Sequence, residues 1–178
     1  MSLDPVVMIA LSLMLSYVVV DAGLHKLRNP RHYAAVIDDY RVLPQGSGAF
    51  AVWVTGAVEI GAGVAILLPP LHRAGLALAA ALLLAYFAAM ALNLLRGRRE
   101  IDCGCGAPGR VQGLSAGLLV RNAGLALAAL VLGVAQPLAR GIGWFDWLVA
   151  IAAALASILI YLSASLLLSN NHLLVRLK

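Results

Sequence analysis

Charge is scarce in this chain: of 178 residues only 12% are charged, and only eight are acidic. An ordinary soluble domain carries about twice that share, and the mean hydropathy of +0.93 excludes one. Cysteine is scarcer still, with two residues in all, Cys103 and Cys105. Two thiols so close in sequence cannot form the disulfide framework of a secreted mini-protein, so the pair needs a local explanation. Residues 1–4 lack the basic region and small-residue cleavage site of a signal peptide, so the first apolar run is expected to stay as a span. The chain has no internal repeat, no low-complexity tract and no segment that reads as a separate soluble domain. Its net charge of +5 falls in short clusters between apolar runs and not on one continuous face. That pattern argues against a nucleic-acid partner.

What remains is long hydrophobic runs. A span needs roughly 20 apolar residues to cross about 30 Å of hydrocarbon. Five stretches qualify, at 5–26, 48–68, 72–95, 114–135 and 145–168. The predicted fold is an all-α polytopic membrane domain of five transmembrane helices. Pro69-Pro70 joins the second and third spans so tightly that they form a helical hairpin. After the first span, Pro30, the run from His32 to Ile37 and Pro44 suit a short helix lying at the bilayer interface. Arg96 to Gly113 is a short, basic, glycine-rich connection that holds both cysteines.

Lys26, Arg28, Arg31 and Arg41 flank the first connection, Arg96, Arg98, Arg99 and Arg110 the third, and Arg176 and Lys178 end the chain. Arg73 and Arg140 lie on the other side. The positive-inside rule therefore predicts an external N-terminus, a cytoplasmic cysteine loop and C-terminus, and an outer aromatic belt of Trp144, Phe145 and Trp147 in a bacterial inner membrane.

The chemistry is concentrated in Asp102-Cys103-Gly104-Cys105-Gly106. Gly97 suits the C-cap of the third span, which leaves the cysteines in irregular backbone. A disulfide across one residue closes a small strained ring, and glycine supplies the dihedrals it needs. Arg98, Arg99 and Arg110 favour a thiolate, whereas Glu100 and Asp102 oppose it. Such a pair suits thiol-disulfide exchange, with one cysteine attacking and the other resolving. A metal would need ligands beyond two thiolates, and His25 and His32 give a scattered tetrahedral set at best.

Polar residues inside the spans are costly and therefore informative. Glu59 lies near the middle of the second span, in a stripe with Thr55, Gly56, Ala62 and Gly63 that packs on other helices. The fourth span carries Gly113, Gly117, Arg121 and Gly124 on one side, with Asn122 beside them. At 1.5 Å per residue, Arg121 lies about 10 Å and Glu59 about 16 Å inside the same end, so a Glu59–Arg121 ion pair is expected. Asp21 competes for that arginine, with His25, Lys26 and Asn93 nearer the surface. A polar pocket built from these groups, lined by Tyr17 and Tyr86, would move protons or seat a quinone headgroup beneath the cysteine loop.

Several segments together resemble the methylamine utilisation protein MauE family within the wider DoxX-like group. They are Gly23-x-x-Lys26, Asp39-Tyr40-Arg41-Val42-Leu43-Pro44, Glu59, Asn93-Leu94-Leu95-Arg96-Gly97-Arg98, the Cys-Gly-Cys motif and Arg121-Asn122. Where that family is expected to carry an aromatic residue after Cys-Gly-Cys, this chain has Gly106 followed by Ala107-Pro108. The resemblance implies a four-helix core plus one further span. It also implies an accessory role in forming the disulfides of the methylamine dehydrogenase small subunit, together with a thioredoxin-like partner of the MauD type. The other function it suggests is a non-catalytic subunit of a quinone-linked membrane complex, in which the cysteines would be dispensable. Periplasmic clients conflict with a cytoplasmic cysteine loop. Either electrons cross the membrane through this protein, with the loop re-entering the bundle, or the charge rule fails here.

Overall fold

The computed structural model describes residues 2–104 and 113–176, with side chains through residue 168. Six α-helices account for nearly all of it: α1 (Pro5–Arg28), α2 (Pro30–Asp39), α3 (Gly48–Leu67), α4 (His72–Leu95), α5 (Ala116–Val134) and α6 (Trp144–Arg176). Five are long and apolar enough to cross a membrane, all but the short α2. This is the predicted multi-pass architecture, with ends displaced by a few residues. The interfacial helix predicted around residues 32–37 is α2.

The helix ends follow local chemistry. Asp4 caps α1 by accepting Val6 N at 2.8 Å, and Pro5 occupies the first turn, where its missing N–H costs nothing. Between α3 and α4 the Pro69–Leu71 segment makes a single 3-10 turn, and His72 Nδ1 approaches Ile66 O at 2.6 Å. The C-terminus of α4 is a Schellman motif: Arg98 N donates to Asn93 O and Gly97 N to Leu94 O, each at 3.0 Å, with Gly97 at φ +73°. The expected glycine cap is therefore present, and it turns the chain sharply into the cysteine loop.

Helices α1, α3, α4 and α5 form a four-helix core, with α3 between α1 and α4, and α5 against α4 and the edge of α1. Leu15, Ala62, Leu76, Ala79, Ala126 and Leu132 fill its centre. Helix α6 packs on α1 from outside through Ala150 and Ala154, and only 6% of its apolar window is buried against 33–39% for the other four spans. It is the additional span, and its broad apolar surface needs lipid around it.

The α1–α3 contact sets the geometry of the interior. A Cβ on Gly23 would lie 2.7 Å from Gly56 O, and one on Gly63 would collide with Val20. Small residues thus let the two backbones approach closely, as the Gly56, Glu59, Ala62 and Gly63 stripe predicts. The corresponding expectation for the fourth span holds only in part: a Cβ on Gly117 would meet Leu168 of α6 at 2.5 Å, but Gly124 takes no part in packing. The buried face of α5 is Leu118, Asn122, Leu125, Ala126, Ala129 and Leu132, whereas Gly124 is exposed with open space around it. The volume of the leucines, not a glycine seam, spaces α5 from α4.

At the end opposite the cysteine loop, a two-residue parallel ladder pairs Ser2–Leu3 with Gln136–Pro137. Arg140 ties that end together. Its guanidinium holds both carboxylate oxygens of Asp4 at 2.9 Å and Asp146 Oδ1 at 2.9 Å. This pairing holds the Asp4 carboxyl below its ordinary range and the Arg140 guanidinium above its own. Trp144, Phe145 and Trp147 are all exposed on the first turn of α6.

Candidate functional site

Chemistry-bearing residues collect where α1 ends beneath α2. From the Gly23–Gly56 contact, α3 runs eight residues to its N-terminus at Gly48, whereas α1 runs only five to Arg28. At 1.5 Å per residue these lengths are about 12 and 8 Å, so α1 stops short and α2 folds over its end. Asp38 fixes this roof by accepting Gly46 N at 3.2 Å and Gly48 N at 3.1 Å.

Lys26 is consequently buried, at 6% exposure, and Glu59 at 1%. Lys26 Nζ donates to Glu59 Oε1 at 2.6 Å and Oε2 at 2.8 Å, and Tyr86 Oη donates to Oε1 at 2.7 Å. The ammonium also lies 4.9 Å from the centre of the Tyr86 ring. This arrangement corrects the expected Glu59–Arg121 pair. Depth counted along straight spans put Lys26 at the surface, but the short α1 and the roof above it turn the lysine inward to the nearest carboxylate. Arg121 instead donates to Ser165 Oγ at 3.2 Å and lies over the Tyr161 ring at 5.6 Å, both on α6. Asp21 pairs with His25 on its own helix at 3.5 Å.

The described part of the cysteine loop is anchored to the same roof. Asn93, fully buried, donates from Nδ2 to Tyr40 O at 3.1 Å and to Ala89 O at 3.0 Å, while its Oδ1 accepts Arg98 Nη1 at 2.9 Å. Tyr40 Oη in turn donates to Cys103 O at 3.1 Å. Asp102 bridges to Gly113, accepts Gly104 N at 3.3 Å and lies 3.6 Å from His32 Nε2. Two expected influences on the thiols are thus already engaged, Arg98 by Asn93 and Asp102 by its neighbours, and Arg99 is exposed. Cys103 is buried among Val36, Tyr40, Met90, Leu114 and Leu118. Gly104 has φ +67°, the left-handed turn that the Cys-Gly-Cys spacing asks of its middle residue. Cys105 and Arg110 lie outside the described residues.

A cavity of about 250 Å³ joins these parts, its wall including Lys26, Tyr33, Tyr40, Tyr86, Cys103 and Gly104. A second space of about 40 Å³ lies deeper, lined by Asp21, Lys26, Glu59, Tyr86, Arg121 and Asn122 among others. Lys26 and Tyr86 face both. The structure therefore brings Lys26, Glu59 and Tyr86 into direct contact, Asn93 and Arg98 onto the loop anchor, and Asp21, Arg121 and Asn122 around the inner space. Tyr17 lines neither cavity and is 38% exposed. Sequence reasoning predicted α2 as an interfacial helix and named Tyr40 only within a segment of the family resemblance; it gave Tyr33 no role and did not foresee that α2 covers the site.

Comparison with known proteins places the chain in a family. The profile described as Methylamine utilisation protein MauE matches residues 4–135, all of the four-helix core and the site. The chain belongs to the MauE family. It is 38% identical to the methylamine utilization protein MauE of Paracoccus denitrificans over 165 residues, covering 93% of this chain and 89% of that one. The MauE proteins of Methylorubrum extorquens and Methylophilus methylotrophus are 36% and 35% identical, covering 92% of this chain and 88% and 87% of theirs. No solved structure matches the chain. The match to MauE relatives extends along nearly the whole length, so α6 belongs to the shared unit even though it lies outside the family profile.

Proposed function

We propose that this MauE-family protein is a membrane thiol redox accessory that exchanges disulfides through Cys103 and Cys105 with a thioredoxin-like partner. In that role it supports disulfide formation in methylamine dehydrogenase or a related periplasmic redox enzyme. The observation that carries the reading is the placement of Cys103: its loop is hydrogen-bonded to the bundle, and it shares a cavity with a buried lysine. A cysteine used only as filler needs neither a glycine turn nor an anchored loop beside it.

The exchange balances without an external reagent. A partner thiolate attacks one sulfur of the oxidised pair, giving a mixed disulfide and releasing the other sulfur as thiolate. The second partner thiol then displaces the first, leaving a partner disulfide and two protein thiols. The Lys26 ammonium, in the same low-dielectric cavity, offsets negative charge on the released sulfur. The Tyr40 and Asn93 anchors keep the loop in place while bonds are exchanged.

For orientation, the Arg-rich end of the bundle supports a cytoplasmic cysteine loop. Direct exchange then takes place on the cytoplasmic face, and a periplasmic client requires a further carrier across the membrane. Two experiments test the proposal. Cys103→Ser or Cys105→Ser should trap the partner covalently or abolish disulfide formation in the client, and a double serine variant with wild-type client disulfides overturns the reading. A membrane-impermeant maleimide should label the cysteines in inverted vesicles and not in intact cells; the reverse pattern overturns the orientation.

A further inference from the structure

We infer that the larger cavity is a quinone site, in which a quinone ring accepts the electrons of the reduced cysteine pair. This inference rests on the thiol reading above and names the co-substrate that regenerates its oxidised state. Four observations carry it.

The cavity wall is mostly apolar, with a few polar groups. Lys26, Tyr33, Tyr40, Thr55, Tyr86 and Cys103 supply its polar groups, while Val36, Val42, Leu43, Ala51, Ala85 and Ala89 supply most of the rest. That is the pattern of a site for a ring with few polar atoms and an apolar tail. Second, a volume near 250 Å³ falls just below the range of about 300–1,000 Å³ typical of whole drug-sized ligands. It suits one substituted ring with the tail outside, and is too small for a client peptide. Third, Val42 and Leu43 on the rim are 50% and 47% exposed, so an isoprenoid tail leaves through them into the bilayer. Fourth, an ammonium has three N–H donors, and two of the contacts of Lys26 go to Glu59. The third is available to a quinone carbonyl within the cavity that Cys103 also lines.

The stoichiometry closes. The two thiols lose two electrons and two protons as the S–S bond forms, and the quinone gains both as its two carbonyls become hydroxyls. Lys26, Glu59 and Tyr86 form a hydrogen-bonded set between this cavity and the inner space of about 40 Å³, which has room for about one water. Asn122 points to water there: its Nδ2 is buried with no hydrogen-bond partner among the described residues. The set gives protons a path between thiols, water and quinone oxygen.

The test uses the full chain in lipid nanodiscs, reduced, freed of reductant and kept anaerobic, with a short-chain ubiquinone as probe. The expected result is one quinol formed per cysteine pair, with loss of both thiols to alkylation. Lys26→Met and Ala85→Phe, the second filling the cavity without touching its polar groups, should each weaken quinone binding by roughly tenfold or more. Thiol exchange with thioredoxin should survive Ala85→Phe. Exchange without quinone binding or reduction overturns this inference and leaves the thiol reading standing; loss of both overturns both. Quinone binding unaffected by Ala85→Phe, or a lipid acyl chain retained in the cavity and not displaced by quinone, also overturns it.

Discussion

Converting Glu59 to glutamine should be among the most damaging single changes available in this protein. The carboxylate accepts two hydrogen bonds from Lys26, at 2.6 and 2.8 Å, and one from Tyr86 at 2.7 Å, with both charged side chains almost fully buried. Glu59→Gln leaves the Lys26 ammonium in a low-dielectric interior with only a neutral amide and an aromatic face. Breaking a buried pair in this way costs about 3–5 kcal/mol. At 1.4 kcal/mol per decade, that is a shift of roughly two to three and a half orders of magnitude in the folding equilibrium. Lys26→Met should cost less, because the orphaned carboxylate keeps its Tyr86 hydrogen bond. The double variant Lys26→Met, Glu59→Gln should recover most of the loss, since two neutral groups of similar volume replace a pair whose attraction is largely offset by desolvation. Reversible unfolding in mixed micelles, run as a double-mutant cycle, measures the coupling directly. Additive single effects, or a Glu59→Gln variant within about 0.5 kcal/mol of wild type, would refute the claim that this pair is buried and mutually dependent.

The other expectations concern packing, the loop anchor and the opposite end of the bundle. Gly23→Ala drives a methyl group to 2.7 Å from the Gly56 carbonyl and should destabilise the bundle by about 1–3 kcal/mol, whereas Gly61→Ala, with open space around it, should leave thermal stability unchanged or slightly raised. Tyr40→Phe removes the hydrogen bond to Cys103 O, worth about 0.5–1.5 kcal/mol, and should speed alkylation of Cys103 in the reduced protein roughly 2- to 12-fold. Arg140 lowers the carboxyl pKa of Asp4 from its ordinary 3.8, so the contribution of that pair is complete above 3.8 and is lost as the pH falls through the lower folded value. Arg140→Gln should reduce that acid-limb dependence in pH-resolved thermal scans and leave the part due to the Val6 N–H, with a small amplitude because the groups face solvent.

Much of the fold was legible because the bilayer permits few alternatives. Five apolar runs can satisfy their backbone groups in lipid only as helices, so length and hydropathy sufficed to place them. Gly97 was legible for a similarly local reason, since a Schellman cap needs a left-handed residue and little else. Gly124 misled because a small residue marks a close contact only where another helix lies opposite, as α6 does at Gly117. Leu118, Leu125 and Leu132 form the buried face of α5, and Gly124 lies exposed.

The pairings of the candidate site were not legible in the sequence, and Lys26 shows why. Sequence spacing gives depth along one helix, but it carries no information on how far two helices slide past each other. Contact between Gly23 and Gly56 fixes that slide, and it leaves the end of α1 below the end of α3. The space so created needs a cover, and α2 with Tyr33 and Val36 supplies it, closing over a lysine that would otherwise extend to the interface. Once covered, the ammonium is stable only beside a carboxylate, and the only one the sequence puts inside α3 is Glu59. The same cover presents Tyr40 to the cysteine loop. Burial of the lysine and anchoring of Cys103 are therefore consequences of one helix displacement, and a substitution that resets it at Gly23 should disturb both together.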